Sequence, residues 1–408
     1  MDYIAQELID TILDFLHDDI PSLLSSSLVA KKWVAAPRHH IFACITINHF
    51  LPGFGLGLVD NAHLFLDICN SPHCSIIWSI RSVVFNVDTE VSRPVPGLLV
   101  DIIEALACAP VEKMVFIDYA EEPVSLAWIA PHLPGLREFS YNALNRIVED
   151  IFALVSSFPA LRILSIYSSY EHSTSVATTP YRAFNFAHLH TLRARLYPLQ
   201  SEELLSCLQS APLRLETLDL NLFHCYHNGW GPVSALQAFL LAENAVYLQN
   251  LTLRVTYEDN DEELDDLVRL ERPSDGELDF SALTSLRTLH LTSHSTDSIC
   301  SALASLPPSA LRSFRYEWIH WIYYNEEPCP CNDSQVHQFV SVMQGPQFDA
   351  LTRLDIGVPD FFQDEGILAL REYFGKWKDD QRMQIERSEG DFQVDSWESL
   401  SDGMFTGA

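Results

Sequence analysis

Basic residues are scarce in this chain. Its 408 residues carry 25 Lys and Arg against 55 Asp and Glu, a net charge of −30. A general nucleic-acid partner is excluded on that ground, because neutralising phosphates takes clustered Lys and Arg. Anionic membrane surfaces are excluded for the same reason. Long apolar runs are also missing: none approaches the ~20 residues that a spanning helix needs. No basic segment precedes an apolar core at the N-terminus, so a secretory signal is not expected. The Gly-rich phosphate loop, the Gly-x-Ser-x-Gly elbow and the His-Glu-x-x-His helix are all missing, which removes three common sequence routes to catalysis.

Cysteine is thinly spread. Nine residues, an odd number at scattered positions, read as reduced thiols of an intracellular protein, cytosolic or nuclear. Cys329-Pro330-Cys331, with His320 and His337 nearby, lacks the paired spacing of a structural zinc site, and so do His63, Cys69, His73 and Cys74. No catalytic residue, metal or cofactor is expected. The glycosylation sequons at Asn250 and Asn332 carry no weight in such a protein, and Asn250 falls inside a strand pattern.

What the chain does have is apolar content, 48%, which is that of a folded protein. The length admits two or more domains or one large repeat domain. Residues 1–46 stand apart. On a helix, Ile4, Leu8, Ile9, Ile12, Leu13, Phe15 and Leu16 cover roughly 180° of the circumference, against about 100° for an ordinary core-facing helix. A turn at His17–Pro21 follows, then a second apolar segment with Leu23, Leu24, Leu28, Val29 and Trp33. So small a unit has little interior in which to hide this surface. Another domain or another chain must cover part of it.

The order Glu-Leu-Ile-x-x-Ile-Leu-x-x-Leu, then Ser-Leu-Val-x-Lys-x-Trp, then Arg-x-x-Ile-Phe resembles an F-box, and its wording is most similar to F-box proteins of mushroom-forming fungi. Two positions depart from that pattern. Ile4-Ala5 replaces the usual Leu-Pro opening, which removes a rigid helix start, and Ala30 replaces the usual Cys.

From about Ile80 a second pattern recurs, Leu-x-x-Leu-x-Leu with conservative swaps. A clear copy is Leu136-Arg137-Glu138-Phe139-Ser140-Tyr141; others start at Leu161, Leu189, Leu215, Leu248, Leu286, Leu311 and Leu351, with weaker ones at Ile80 and Val111. The intervals run from 25 residues (Val111 to Leu136) to 40 (Leu311 to Leu351). The alternation closing each copy predicts a short half-buried strand. Helical spacing fills the stretches between, at Val100–Cys108, Ile147–Ser157, Glu202–Gln209, Val233–Ala242, Ile299–Leu306 and Val336–Met343. Proline often follows the helix, as at Pro110, Pro134, Pro159, Pro212 and Pro307, and resets the chain towards extended geometry. One strand and one helix cannot bury their apolar sides alone, but stacked copies can.

This body resembles a leucine-rich-repeat solenoid without the regular Asn that closes the turn. The expected fold is therefore α/β: an N-terminal helical F-box over 1–46, a linking helix or loop over 47–79, and an irregular leucine-rich-repeat-like solenoid over 80–360. Parallel strands would line its inside and helices its outside. Leu58–Cys69 is the expected linking helix, and Trp78 the expected start of the first strand. An acidic insertion over 258–279 reads as a solvated loop, since its carboxylates repel and it lacks the alternation and central Gly of a calcium loop. Residues 361–408 read as a helix (Asp364–Lys378, with Leu368, Leu370 and Phe374 inward), a short strand near Met383–Ile385 and an acidic tail.

Residues flanking the fourth and sixth positions of each copy point away from the core. The charged ones are Lys113, Glu138, Arg193, Arg195, Asp219, Arg254, Arg315, Glu317, Arg353 and Asp355, six basic and four acidic in a chain with 25 basic and 55 acidic. That enrichment reads as a groove for an acidic or phosphorylated segment, with Arg193, Arg195, Arg254 and Arg315 as its contacts.

The resemblance implies a substrate-receptor subunit of a Skp–cullin–F-box ubiquitin ligase, itself without catalytic activity. Ile4, Leu8, Ile12, Leu24, Leu28 and Trp33 would face the Skp-type adaptor, and through it the cullin, with the division between adaptor contacts and core left open. The repeat domain would hold an unknown protein substrate. A scaffold without ubiquitin transfer is the alternative, favoured by the departures at Ala5 and Ala30.

Overall fold

The computed structural model describes residues 6–16, 19–29, 33–49, 60–87, 97–118, 126–143, 154–168, 188–196, 198–210, 213–224, 231–257, 278–293, 296–308, 311–318, 333–359, 370–371, 374 and 383–388. They fall into two compact units, one comprising Met1–Thr178 and Gln393–Ala408, the other Thr179–Phe392. Ile4, residues 258–277 of the acidic insertion, Cys329–Cys331, nearly all of 364–378 and the acidic tail lie outside the described residues.

The first unit opens with three short helices, α1 (Gln6–Asp14), α2 (Ile20–Ser27) and α3 (Ala35–Ile41). Asp19 caps α2: its carboxylate accepts the Ser22 N–H at 3.1 Å and the Ser22 hydroxyl at 2.5 Å, satisfying a donor that the helix start leaves open. Parallel strands follow: β1 (Cys44–His49), β2 (Ser82–Val87), β3 (Lys113–Asp118), β4 (Glu138–Ala143) and β5 (Ile163–Ser168), each paired with the next in unbroken register. Between them come α4 (Ala62–Cys69) and α5 (Gly97–Leu106).

The second unit repeats the scheme with β6 (Thr191–Leu196), β7 (Thr217–His224), β8 (Asn250–Tyr257), β9 (Thr288–Ser293), β10 (Ser313–Trp318), β11 (Arg353–Pro359) and β12 (Met383–Ser388). These too are parallel and paired in sequence order. Helices α6 (Pro198–Ser210), α7 (Gly231–Leu240), α8 (Thr296–Ser305) and α9 (Asp333–Met343) separate them. Both units are thus α/β with parallel strands, as expected. Among the described residues no helix is long and apolar enough to cross a membrane.

Within each unit, successive copies of the Leu-x-x-Leu-x-Leu pattern enter their strands the same way. The carbonyl of the second residue accepts two N–H groups from the second and third residues of the next copy. Arg137 O takes Arg162 and Ile163 at 2.8 and 3.0 Å, Glu216 O takes Gln249 and Asn250 at 2.9 and 3.0 Å, and Arg312 O takes Thr352 and Arg353 at 2.8 and 3.1 Å. A shared acceptor pins the start of each strand. Register therefore stays constant while the interval between copies varies, the excess being absorbed after the strand. A further buried residue stands three before the first leucine: Leu133, Phe158, Ala245, Leu283 and Phe348. Its carbonyl accepts the leucine N–H, as in Phe158 O to Leu161 at 3.3 Å and Phe348 O to Leu351 at 3.0 Å. Pro134 and Pro159 sit just after this anchor, inside the turn.

The core lies on the side of the fourth and sixth residues. Leu164, Leu192, Leu218, Leu251, Leu289, Phe314 and Leu354 are fully buried there. Phe85, Phe116 and Tyr141, neighbours in register on β2, β3 and β4, pack ring against ring with centroids 5.8 and 6.1 Å apart. Tyr316 of β10 stacks on Phe339 of α9 at 5.3 Å.

Four boundaries differ from expectation. The ladder starts at Cys44 rather than at Ile80, because Phe42-Ala43-Cys44-Ile45-Thr46-Ile47 is itself a copy of the pattern; Ala43 O takes the Arg81 and Ser82 N–H groups, both at 2.8 Å. In the second unit the pairing runs past 360, because the short strand expected near Met383–Ile385 is present as β12 and joins β11. Trp78 starts no strand: it sits in a single helical turn, Ile77–Ser79, with its side chain exposed. The linking helix is α4, which begins four residues later than the expected Leu58.

Candidate functional site

Two surfaces carry the residues singled out from the sequence. The first is on α1 and α2. Ile9, Leu13 and Leu23 are fully buried and form a small core with Leu16, Ile20, Trp33, Ala36 and Ile41. His40 of α3 lies 2.9 Å from Asp14 at the end of α1. One apolar stripe of α1, Ile9–Leu13–Leu16, is thereby used. The parallel stripe one residue back, Leu8–Ile12–Phe15, is rotated by about 100° and stays in solvent, at 58%, 48% and 84% exposure. On α2 and just after it, Leu24, Leu28 and Val29 are likewise exposed, at 52%, 87% and 49%.

The wide apolar arc of the sequence is thus two stripes with two fates. Of the expected contacts, Leu8, Ile12, Leu24 and Leu28 are on the exposed side, and Trp33 packs with the core. Phe15 and Val29 were not among the expected contacts, although Phe15 completes the i, i+4, i+7 spacing of Leu8 and Ile12.

The second surface is the sheet face opposite the helices in the second unit. On β6 the burial alternates: Leu192, Ala194 and Leu196 are buried, Arg193 is exposed and Arg195 half-buried. Register aligns Arg193 with Asp219, Thr252, His290, Arg315 and Asp355 in one row, and Arg195 with Asn221, Arg254, Thr292, Glu317 and Gly357 in the next. At ~4.8 Å per strand, Arg195 and Arg254 stand about 10 Å apart with Asn221 between them. Arg193 and Arg254 form no ion pair among the described residues.

Three other cations at outward positions are paired. Arg315 pairs with Glu317 on its own strand. Arg353 Nε lies 2.7 Å from Asp355 Oδ2, and in the first unit Lys113 Nζ lies 3.0 Å from Glu138 Oε1. The structure thus brings Arg193, Arg195 and Arg254 together on β6–β8 and sets Arg315 apart.

Glu317 is the most perturbed carboxylate of the face. Its side chain is 11% exposed, with His290 Nε2 at 3.4 Å and the Thr292 hydroxyl donating at 3.4 Å. Burial pushes its pKa up, but His290 and Arg315 pull harder and hold it at about 2. Gly357, across on β11, leaves it room: a Cβ there would stand 3.0 Å from Glu317 Cγ.

In the first unit the corresponding face is not an open charged surface. Asn86, Val115, Ser140, Asn142 and Ser165 occupy outward positions and are buried. Asn86 Nδ2 donates to Asn48 Oδ1 at 2.9 Å along this neutral row. The expectation that flanking positions are exposed in every copy is therefore corrected: neutral side chains fill the buried outward positions of the first unit, and in the second unit Thr292 and Glu317 are buried there as well.

Among the described residues, no three His, Cys, Asp or Glu side chains converge on a common point. Burial, and then the neighbouring Cys74 thiol, push Cys69 up to about 12, so that thiol stays protonated. No protein-family model and no curated protein matches the chain. The two surfaces thus present an apolar stripe left in water on α1 and arginines on adjacent strands of the second unit.

Proposed function

We propose that this chain is the substrate-receptor subunit of a Skp–cullin–F-box ubiquitin ligase. In this reading residues 1–46 are an F-box, and the strands and helices after it are an irregular leucine-rich-repeat-like solenoid. The adaptor docks on Leu8, Ile12, Phe15, Leu24 and Leu28, and an acidic or phosphorylated segment of the substrate lies over Arg193, Arg195 and Arg254. The chain contributes position rather than chemistry.

One observation carries the reading. A stripe of large apolar side chains is left in water on the very helix whose parallel stripe fills the small core. Exposure of this kind, in one patch, marks an interaction surface, and here it falls on the segment that resembles an F-box. Recovery of a Skp-type adaptor with the full-length chain, and its loss with Leu8→Asp/Ile12→Asp, tests the docking. A chain that binds its ligand through the sheet face yet recovers no adaptor is a scaffold instead.

A further inference from the structure

We propose that the anion-binding surface of the second unit ends at β8, and that Glu317 is the specificity-determining residue that ends it. This rests on the reading of that sheet face as the seat of an anionic ligand segment, and it concerns how far along the face such a ligand is held.

By sequence alone, Arg193, Arg195, Arg254 and Arg315 form one series of cations. Arg193 and Arg315 share a row, four strands apart, or about 19 Å at ~4.8 Å per strand. An extended segment covers that distance in about six residues, so two anionic groups at that spacing would meet both arginines.

The structure divides the series. Arg315 is no less accessible in kind than Arg193, its side chain being 50% exposed, but its guanidinium is held by Glu317. Glu317 is itself fixed. It is nearly buried, it accepts from Thr292, it has His290 beside it, and it occupies the space that the missing side chain of Gly357 leaves. A ligand anion arriving over β10 meets a neutral pair and would have to displace a carboxylate that cannot swing into water. On β11, Arg353 and Asp355 repeat the arrangement. Over β6–β8, by contrast, Arg193 and Arg254 form no ion pair among the described residues. A single phosphate monoester, of charge about −1.5 to −2, suits these two guanidinium groups. A second anion at the β10 spacing finds no cation.

Residue-resolved arginine modification by phenylglyoxal, read by mass spectrometry on the full-length chain with and without inorganic phosphate, tests this. Pairing shields a guanidinium, and a charge-assisted pair of this kind is worth about a tenfold difference. In the wild type Arg193 should be modified about tenfold faster than Arg315 and Arg353, and phosphate should protect Arg193 and Arg254 but not Arg315. In the isosteric Glu317→Gln, Arg315 should rise to within about threefold of Arg193 and become protectable by phosphate, with Arg353 unchanged as the internal control.

Modification of Arg315 at the rate of Arg193 in the wild type overturns the proposal without need of a variant, and an Arg315 rate that does not move in Glu317→Gln overturns it as well. If Arg315 behaves as stated in both proteins but phosphate protects neither Arg193 nor Arg254, the pairing stands and the anionic-ligand reading of the face falls, and with it the boundary. The two failures are therefore told apart in one experiment.

Discussion

Replacing Leu8 and Ile12 together by Asp separates docking from folding. Both side chains are about half in water already, at 58% and 48% exposure, and neither belongs to the core of Ile9, Leu13 and Leu23. Burying a whole Leu or Ile side chain is worth ~1.5–3 kcal/mol, so covering the exposed half of each in an interface is worth roughly 1 kcal/mol apiece. The aspartates forfeit that and would also have to be desolvated unpaired, at a cost of several kcal/mol. The combined loss exceeds about 4 kcal/mol, roughly a thousandfold in Kd.

In the free chain the same changes touch only helix propensity, about 0.5 kcal/mol each. The measurement pairs calorimetric titration with a Skp-type adaptor and a urea melt of the full-length variant. The expected result is lost binding with the melt shifted by no more than about 1 kcal/mol. Leu13→Ala is the counterpart: it empties the core and should destabilise by about 2–5 kcal/mol. A folded double variant whose affinity stays within about threefold of wild type would refute the argument that the second stripe of α1 is the docking surface.

In the repeat body, Leu218→Ala or Leu289→Ala, both fully buried, should each lower the unfolding free energy by about 2–5 kcal/mol; a urea midpoint within experimental scatter of wild type would contradict the core assignment. Arg193→Glu with Arg195→Glu should abolish capture of substrate while adaptor recovery is unchanged, and wild-type capture should weaken as salt rises, because the contact is charge-assisted and partly exposed; equal yields at equal adaptor recovery would return the ligand to another surface. Glu317 has its pKa held at about 2, below its ordinary 4.5, so its contribution is fully present above about pH 4.5 and is lost as pH falls towards 2. Glu317→Gln should accordingly be less stable than wild type at pH 7, with the gap closing across that acid window; parallel stability curves down to pH 2 would count against it.

The repeat was readable from the residues because its signal is local. A strand with one buried face alternates with period two, and Leu136-x-x-Phe139-x-Tyr141 displays that alternation without reference to anything distant. The helices between followed from spacings of three and four, and α5 to α9 lie within a few residues of where those spacings put them. The copy at Phe42–Ile47 carried the same signal and was masked by the helical motif that runs into it. The buried anchor three residues before the first leucine is not readable in the same way, because Leu133, Phe158 and Ala245 share only apolar character, and no periodicity links them.

Sequence determined which residues are apolar, at what spacing, and where charge is concentrated, since these are properties of neighbours along the chain. Only tertiary structure decided how each was used. It chose which of two equally apolar stripes on α1 fills the core, because that depends on where α2 and α3 lie. It decided that Lys113, Arg315 and Arg353 are paired while, among the described residues, Arg193 and Arg254 are not, because a carboxylate two residues along a strand or alongside on the next pairs only where the charged groups themselves come within reach, which Arg193 and its register neighbour Asp219 do not. It buried Asn86, Ser140 and Ser165 at outward positions of the first unit and left Arg193 and Arg315 exposed at those of the second. A charge or a leucine is a property of the sequence; its partner is a property of the fold, because the free energy of either is set by what surrounds it and not by what precedes it.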